Sequence, residues 1–136
     1  MDKLDKDLLV RVEQALHIKL KEWQVNYILD IPMVLDLSIA DRGTGKTTAY
    51  IIKLLFSDDE PIRLYSKGDI LKIADNTNDL YLGWFEDQLY SIYVELESNE
   101  IRPRPVFRTE LGYRDYILRK DIGNFEEFKY FNPTNL

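Results

Sequence analysis

Between Leu4 and Leu20 the apolar residues Leu8, Leu9, Val12, Leu16 and Leu20 recur at helical spacing, with Asp5, Lys6, Arg11, Glu13 and Lys19 on the other faces. The pattern predicts an amphipathic helix. A second helix is predicted over Lys21–Leu29, with Trp23, Val25, Tyr27 and Ile28 supplying its apolar side. Pro32 closes it, because the residue before a proline avoids the helical region. Met33–Ile39 is an aliphatic run suited to a buried strand, Ala40–Gly45 is a loop, and Lys46–Phe56 returns to helical spacing before the polar turn Ser57–Pro61. Ile62–Ser66 alternates like a second strand, so 33–66 reads as strand, loop, helix and strand, the βαβ unit of a parallel sheet with a right-handed crossover. Lys67–Asn76 is predicted as a short helix. Asp79–Glu97 is predicted as a long one, with Phe85, Leu89, Ile92 and Leu96 in register and Gly83 as a cost near its start. The prolines of Arg102-Pro103-Arg104-Pro105 impose an extended segment. Beyond them Val106–Thr109 and Tyr113–Leu118 flank Glu110-Leu111-Gly112, which predicts a β-hairpin with glycine in its turn. Phe125, Phe128 and Phe131 suggest a short docking helix over Asn124–Phe131. The expected fold class is α/β, a small and mostly parallel sheet with flanking helices and a C-terminal β-hairpin, in one domain spanning 1–136.

Composition supports a packed domain. At 136 residues, 45% hydrophobic and 12% aromatic, the chain has enough large side chains for one core and no length for a second domain. No cysteine is present, which excludes disulfides and thiolate metal sites, and the single His17 leaves little scope for histidine-based catalysis. With no apolar run of membrane-spanning length and no signal-peptide pattern in Met1–Asp7, an intracellular protein without membrane contact is expected. The net charge of −6 repels polyanions, so contact with nucleic acid would have to be local.

Ala40-Asp41-Arg42-Gly43-Thr44-Gly45-Lys46-Thr47 fits the phosphate-loop pattern with Ala in place of the first Gly, between a predicted strand and a predicted helix. The chemistry accounts for these residue types. Gly43 and Gly45 let the backbone turn its N–H groups toward one point, the helix N-terminus adds partial positive charge, and Lys46 reaches the β- and γ-phosphates. Thr47 offers its hydroxyl to Mg²⁺, and Thr44 and Thr48 complete the lining. Arg42 lies four residues before Lys46, where a guanidinium can stabilise charge that develops during phosphoryl transfer. Trp23-Gln24, 22 residues before Lys46, places an aromatic face and an amide where they can stack on and hydrogen-bond an adenine. The plainer alternative makes Trp23 a core residue and Gln24 an ordinary helix-surface residue.

Leu20-Lys21-Glu22-Trp23-Gln24-Val25-Asn26-Tyr27-Ile28-Leu29, followed at this distance by Arg42-Gly43-Thr44-Gly45-Lys46-Thr47, resembles the ATPase domain of phage terminase large subunits, the DNA-packaging motors. The resemblance covers about Leu20 to Ser66. It implies a P-loop NTPase-like fold in which Gln24 reads adenine, Lys46 and Thr47 hold phosphate and Mg²⁺, and Arg42 acts as the arginine in cis. ATP and Mg²⁺ are the cofactors it implies, and the host-cell cytoplasm is the location if the chain is phage-encoded. The family also carries a Walker B strand ending in Asp-Glu. The nearest matches here, Ile92–Glu95 and Tyr81–Asp87, both lie inside the predicted long helix, which leaves two expectations: another copy or a partner subunit supplies the acid, or nucleotide is bound without hydrolysis.

Residues 101–120 hold Arg102, Arg104, Arg108, Arg114, Arg119 and Lys120 against Glu110 and Asp115, while the rest of the chain carries 12 basic and 22 acidic side chains. With Phe107, Tyr113 and Tyr116 interleaved, such a hairpin could contact the phosphates and bases of DNA. It could equally pair with the chain's own acidic surface. The functional expectation is an ATP-binding, Mg-dependent ATPase acting on or near nucleic acid. The alternative is a nucleotide-binding interaction or regulatory module without hydrolysis.

Overall fold

The computed structural model describes residues 1–32 and 45–122. The predicted strand over 33–39, the loop residues Ala40 to Thr44 and the predicted docking helix over 124–131 lie outside the described residues. In chain order the elements are α1 (Lys6–Leu16), α2 (Glu22–Ile28), α3 (Lys46–Leu55), β1 (Ile62–Arg63), α4 (Lys67–Ile73), α5 (Asp79–Ser98), β2 (Val106–Phe107) and α6 (Glu110–Ile122).

Three of the helices, α1, α4 and α5, start where a side chain satisfies a free N–H group. Asp5 caps α1 by accepting from the Leu8 N–H at 2.8 Å, Ser66 caps α4, and Asn78 caps α5 by accepting from Leu80 and Tyr81. α1 stops four residues short of Leu20 because His17 adopts the left-handed conformation (φ 55°). The buried face of α1 is Leu8, Leu9, Val12 and Ala15, α1 packs on α5, and α5 buries Leu82, Phe85, Leu89 and Leu96. α3 buries Ala49, Ile51, Ile52 and Leu55 and packs against α2 and α5. These residues, with Leu20, Ile28, Phe56, Ile62, Leu64, Ile70, Ile101 and Val106, form one continuous core. Among the described residues no helix is long and apolar enough to cross a membrane.

β1 and β2 pair in parallel, Ile62 with Val106 and Arg63 with Phe107, and α4 and α5 form the connection between them. The Ile62 N–H donates to Pro105 O and the Leu64 N–H to Phe107 O, both at 2.8 Å. An Arg63–Asp69 fork, at 2.6 and 3.0 Å, ties the start of α4 to β1 and holds the Asp69 carboxyl below its ordinary range.

The predicted hairpin over 101–120 is not formed. Val106 and Phe107 take β1 as their partner, and the chain then turns into α6, with Gly112 in its first turn rather than at a hairpin apex. The Thr109 hydroxyl accepts from the Gly112 N–H at 3.1 Å, which starts the helix. Tyr113 and Tyr116, three residues apart, share one helical face and pack on Phe107 with ring centroids 5.6 and 5.1 Å away. Glu110 and Arg114 pair at i, i+4 with 2.7 Å between them. Both spacings suit a helix.

Candidate functional site

Two polar contacts lock α2 beside α3 and position the start of α3. At the N-terminal end of both helices, the Gln24 amide nitrogen donates to Gly45 O at 2.9 Å, while its amide oxygen accepts from the Lys21 N–H at 2.7 Å. At the C-terminal end of both, the Lys53 ammonium donates to Tyr27 O at 3.0 Å, reaches Asp30 at 2.5 Å and lies over the Tyr27 ring. The two short helices therefore run in the same direction, side by side. Gly45 is the N-cap of α3 and adopts the left-handed conformation (φ 87°), which glycine alone enters without strain. A Cβ on Gly45 would stand 2.3 Å from the Gln24 amide nitrogen, so the close approach also requires glycine.

From that cap the chain presents the residues of the motif. Lys46 is solvent-exposed in the first turn of α3, and Thr47 and Thr48 follow it half-buried. The first N–H groups of a helix point beyond its end and carry its partial positive charge, so this terminus favours an anion. Trp23 is half-buried and packs against the core, and Gln24 is only 5% exposed. Of the motif's other members, Ala40, Asp41, Arg42, Gly43 and Thr44 lie outside the described residues.

Sequence reasoning missed Tyr81, a neighbour of Thr47, and the carboxylate that Tyr81 holds. The Tyr81 hydroxyl, from the first turn of α5, hydrogen-bonds with the Thr47 side chain and donates to the Asp75 carboxylate. Burial and then the Asp75 bond push the Tyr81 hydroxyl up to about 12, against an opposing pull from Thr47. One turn along α3, the Tyr50 hydroxyl donates to Ile73 O, and it too is pushed up, first by burial and then by Asp75. No spacing rule connects Asp75, in the loop between α4 and α5, with Thr47. Among the described residues no three His, Cys, Asp or Glu side chains gather as a metal cluster. Mg²⁺ does not require one, since it takes one or two carboxylates together with substrate phosphates and water.

The basic segment is divided by the fold. Arg104 is 6% exposed and faces inward, so it is not a surface contact. Its Nε donates to Glu60 O at 2.6 Å, its Nη1 to Leu54 O at 3.3 Å and to the Ser57 hydroxyl at 3.2 Å, and its Nη2 pairs with Asp58 at 2.9 Å. The Arg104 N–H also donates to Leu55 O at 2.9 Å, so this residue satisfies carbonyls left free at the end of α3. Arg108 pairs with Asp87 at 2.8 Å and lies over the Tyr90 ring, Arg114 pairs with Glu110, and Lys120 sits near the Tyr116 ring. Arg102 is exposed, while its backbone N–H and C=O bond to Asp2.

The chain matches no protein-family model, no curated protein and no solved structure. The terminase resemblance accordingly rests on its two motifs, Trp23-Gln24 and Arg42–Thr47.

Proposed function

We propose that this chain binds a nucleoside triphosphate, ATP being the expected one, together with Mg²⁺, through the 40–47 loop and the first turn of α3. The observation that carries the reading is the opening of α3, a left-handed Gly45 cap pinned by Gln24, followed directly by an exposed Lys46. That is the local structure a phosphate-binding glycine loop needs at its junction with a helix. Lys46 and the N–H groups of the first turn would hold the phosphates. Thr47 would offer its hydroxyl to the metal, and Asp75, linked to Thr47 through Tyr81, is the carboxylate on hand to assist. Arg42 retains its proposed role in stabilising charge on the transferred phosphoryl group.

A second reading, a nucleotide-binding interaction module without hydrolysis, is favoured by one observation. Both segments that resemble a Walker B strand, Ile92–Glu95 and Tyr81–Asp87, lie within α5. Any role on DNA, or in a larger assembly with other copies or subunits, is likewise a proposal that rests on the terminase resemblance. On this chain it would use the exposed Arg102, Arg108, Arg114 and Lys120.

Calorimetric titration of ATP with Mg²⁺, with phosphate release followed with and without DNA, tests the reading. Saturable binding that Lys46→Ala abolishes while the melting temperature holds is the expected result, and ATP binding unchanged in Lys46→Ala refutes it. Phosphate release that Asp75→Asn slows supports the enzyme, and binding with no release supports the module.

A further inference from the structure

An amide that reads adenine must present one acceptor and one donor together to the base edge, as in the bidentate pairing of Asn or Gln with N6 and N7. Gln24 holds one N–H and one lone pair in internal bonds, and burial closes off the remainder of the amide. Its oxygen accepts from the Lys21 N–H and its nitrogen donates to Gly45 O, at 2.7 and 2.9 Å, and the side chain is 5% exposed. With Arg104 it makes up the buried polar or charged side chains of the described residues, and every one of those contacts is made within the chain. To reach a base, Gln24 would have to leave its site, break two internal hydrogen bonds and strand the Lys21 N–H. The neighbouring aromatic is engaged as well, since Trp23 packs against the core.

What Gln24 does hold is the hinge of the phosphate loop. Gly45 O accepts from two directions, from Gln24 and from the Ala49 N–H at 3.0 Å, the first backbone bond of α3. A carbonyl with two fixed donors cannot rotate, so the peptide that joins loop to helix is held at one orientation. Resting on the nucleotide-binding reading above, we propose that Gln24 is a positioning residue for the phosphate loop, and that the site recognises the triphosphate group of its ligand whatever base is attached.

Competition titrations with MgATP, MgGTP and magnesium tripolyphosphate, on the wild type and on Gln24→Met, test this. Methionine keeps the length of the side chain and removes both polar atoms. The wild type is expected to bind all three ligands within about threefold of one another, because the amide that would read the base is held inside the chain. Gln24→Met is expected to weaken all three by the same factor, about tenfold, since the loss falls on the shared phosphate site. A merely structural role would lower the melting temperature without a uniform loss across the three ligands in folded protein, so melting is followed by circular dichroism on the same samples. A wild-type preference for ATP of about tenfold or more overturns the proposal, and its disappearance in Gln24→Met would make Gln24 the base reader after all. Unchanged affinity in a folded Gln24→Met overturns the positioning role. If Gln24→Met does not fold, the wild-type ligand ratios alone decide. A wild type that binds none of the three overturns this proposal together with the reading beneath it, whereas ATP preference overturns this proposal alone.

Discussion

Gly45 and Gln24 fit each other so closely that substituting either should be felt at the other. Alanine at 45 faces two penalties. The left-handed backbone costs a Cβ-bearing residue about 1–2 kcal/mol. The new Cβ would also sit 2.3 Å from the Gln24 amide nitrogen, which must withdraw and give up its bond to Gly45 O, and a buried donor left without a partner costs a further ~1–3 kcal/mol. Gly45→Ala should therefore destabilise the fold by about 2–5 kcal/mol. Gln24→Ala alone loses two hydrogen bonds and should cost ~1–3 kcal/mol. In the double variant the amide is already gone, so only the backbone penalty of Gly45→Ala remains. The two changes should sum to less than their separate costs, by ~1–3 kcal/mol. Urea unfolding of the four proteins, followed by far-UV circular dichroism, measures this coupling directly. Additivity to within ~0.5 kcal/mol would refute the argument, because it would mean that the Gln24 amide does not occupy the space a Cβ at 45 needs.

Three further outcomes are expected. Arg104→Met should destabilise the protein by about 1–3 kcal/mol, since it removes the Arg104 donor from Glu60 O and one of the donors to Leu54 O and takes the partner from Asp58, whereas Arg102→Met should shift the thermal midpoint little. The Tyr81 hydroxyl titrates higher in the folded chain, at about 12, than its ordinary 10.0, so its contribution is intact below pH 10 and is lost as pH rises from 10 to 12. Stability measured across that window should fall, and Tyr81→Phe should make the fall shallower. Gly83→Ala should stabilise the protein by ~0.5–1 kcal/mol in the same unfolding assay, because an added Cβ in the second turn of α5 meets no neighbouring atom within 4 Å.

The helices were legible because their apolar spacing is local information. The register of Phe85, Leu89 and Leu96 along α5 comes from a few adjacent residues, and Ile92, read in the same register, is half-buried while Leu82 joins the buried face. What failed was non-local. Val106-Phe107 has strand chemistry either way, and whether it turns back on Tyr113–Leu118 or pairs with Ile62-Arg63 depends on a partner more than forty residues upstream. The cue for α6 was present in the three-residue spacing of Tyr113 and Tyr116 and the four-residue spacing of Glu110 and Arg114, but the glycine between them read as a turn. Arg104, between two prolines in a basic stretch, looked like a surface charge. Its burial depends on the carbonyl end of α3 and on Asp58, and nothing in its own neighbourhood announces either. At the site, the phosphate-loop motif named Gly45, Lys46 and Thr47 together, and the aromatic–Gln pair named Gln24. The contact that joins Gln24 to Gly45 and the Tyr81–Asp75 pair beside Thr47 come from packing, and no sequence spacing encodes them.

The segment around residues 101–107 binds three distant parts of the chain at once. Asp2 exchanges hydrogen bonds with the Arg102 backbone, Arg104 closes the end of α3, and Val106-Phe107 completes the sheet begun at Ile62. During synthesis, when the chain grows from its N-terminus, α1, α3 and β1 are therefore made well before the residues that secure them. A nascent chain that ends at Ser98 lacks the β2 partner of β1 and the Arg104 donors at the end of α3. These long-range contacts can form only once residues 102–107 have emerged. Over that interval the apolar face of β1 and the end of α3 stand open to other chains.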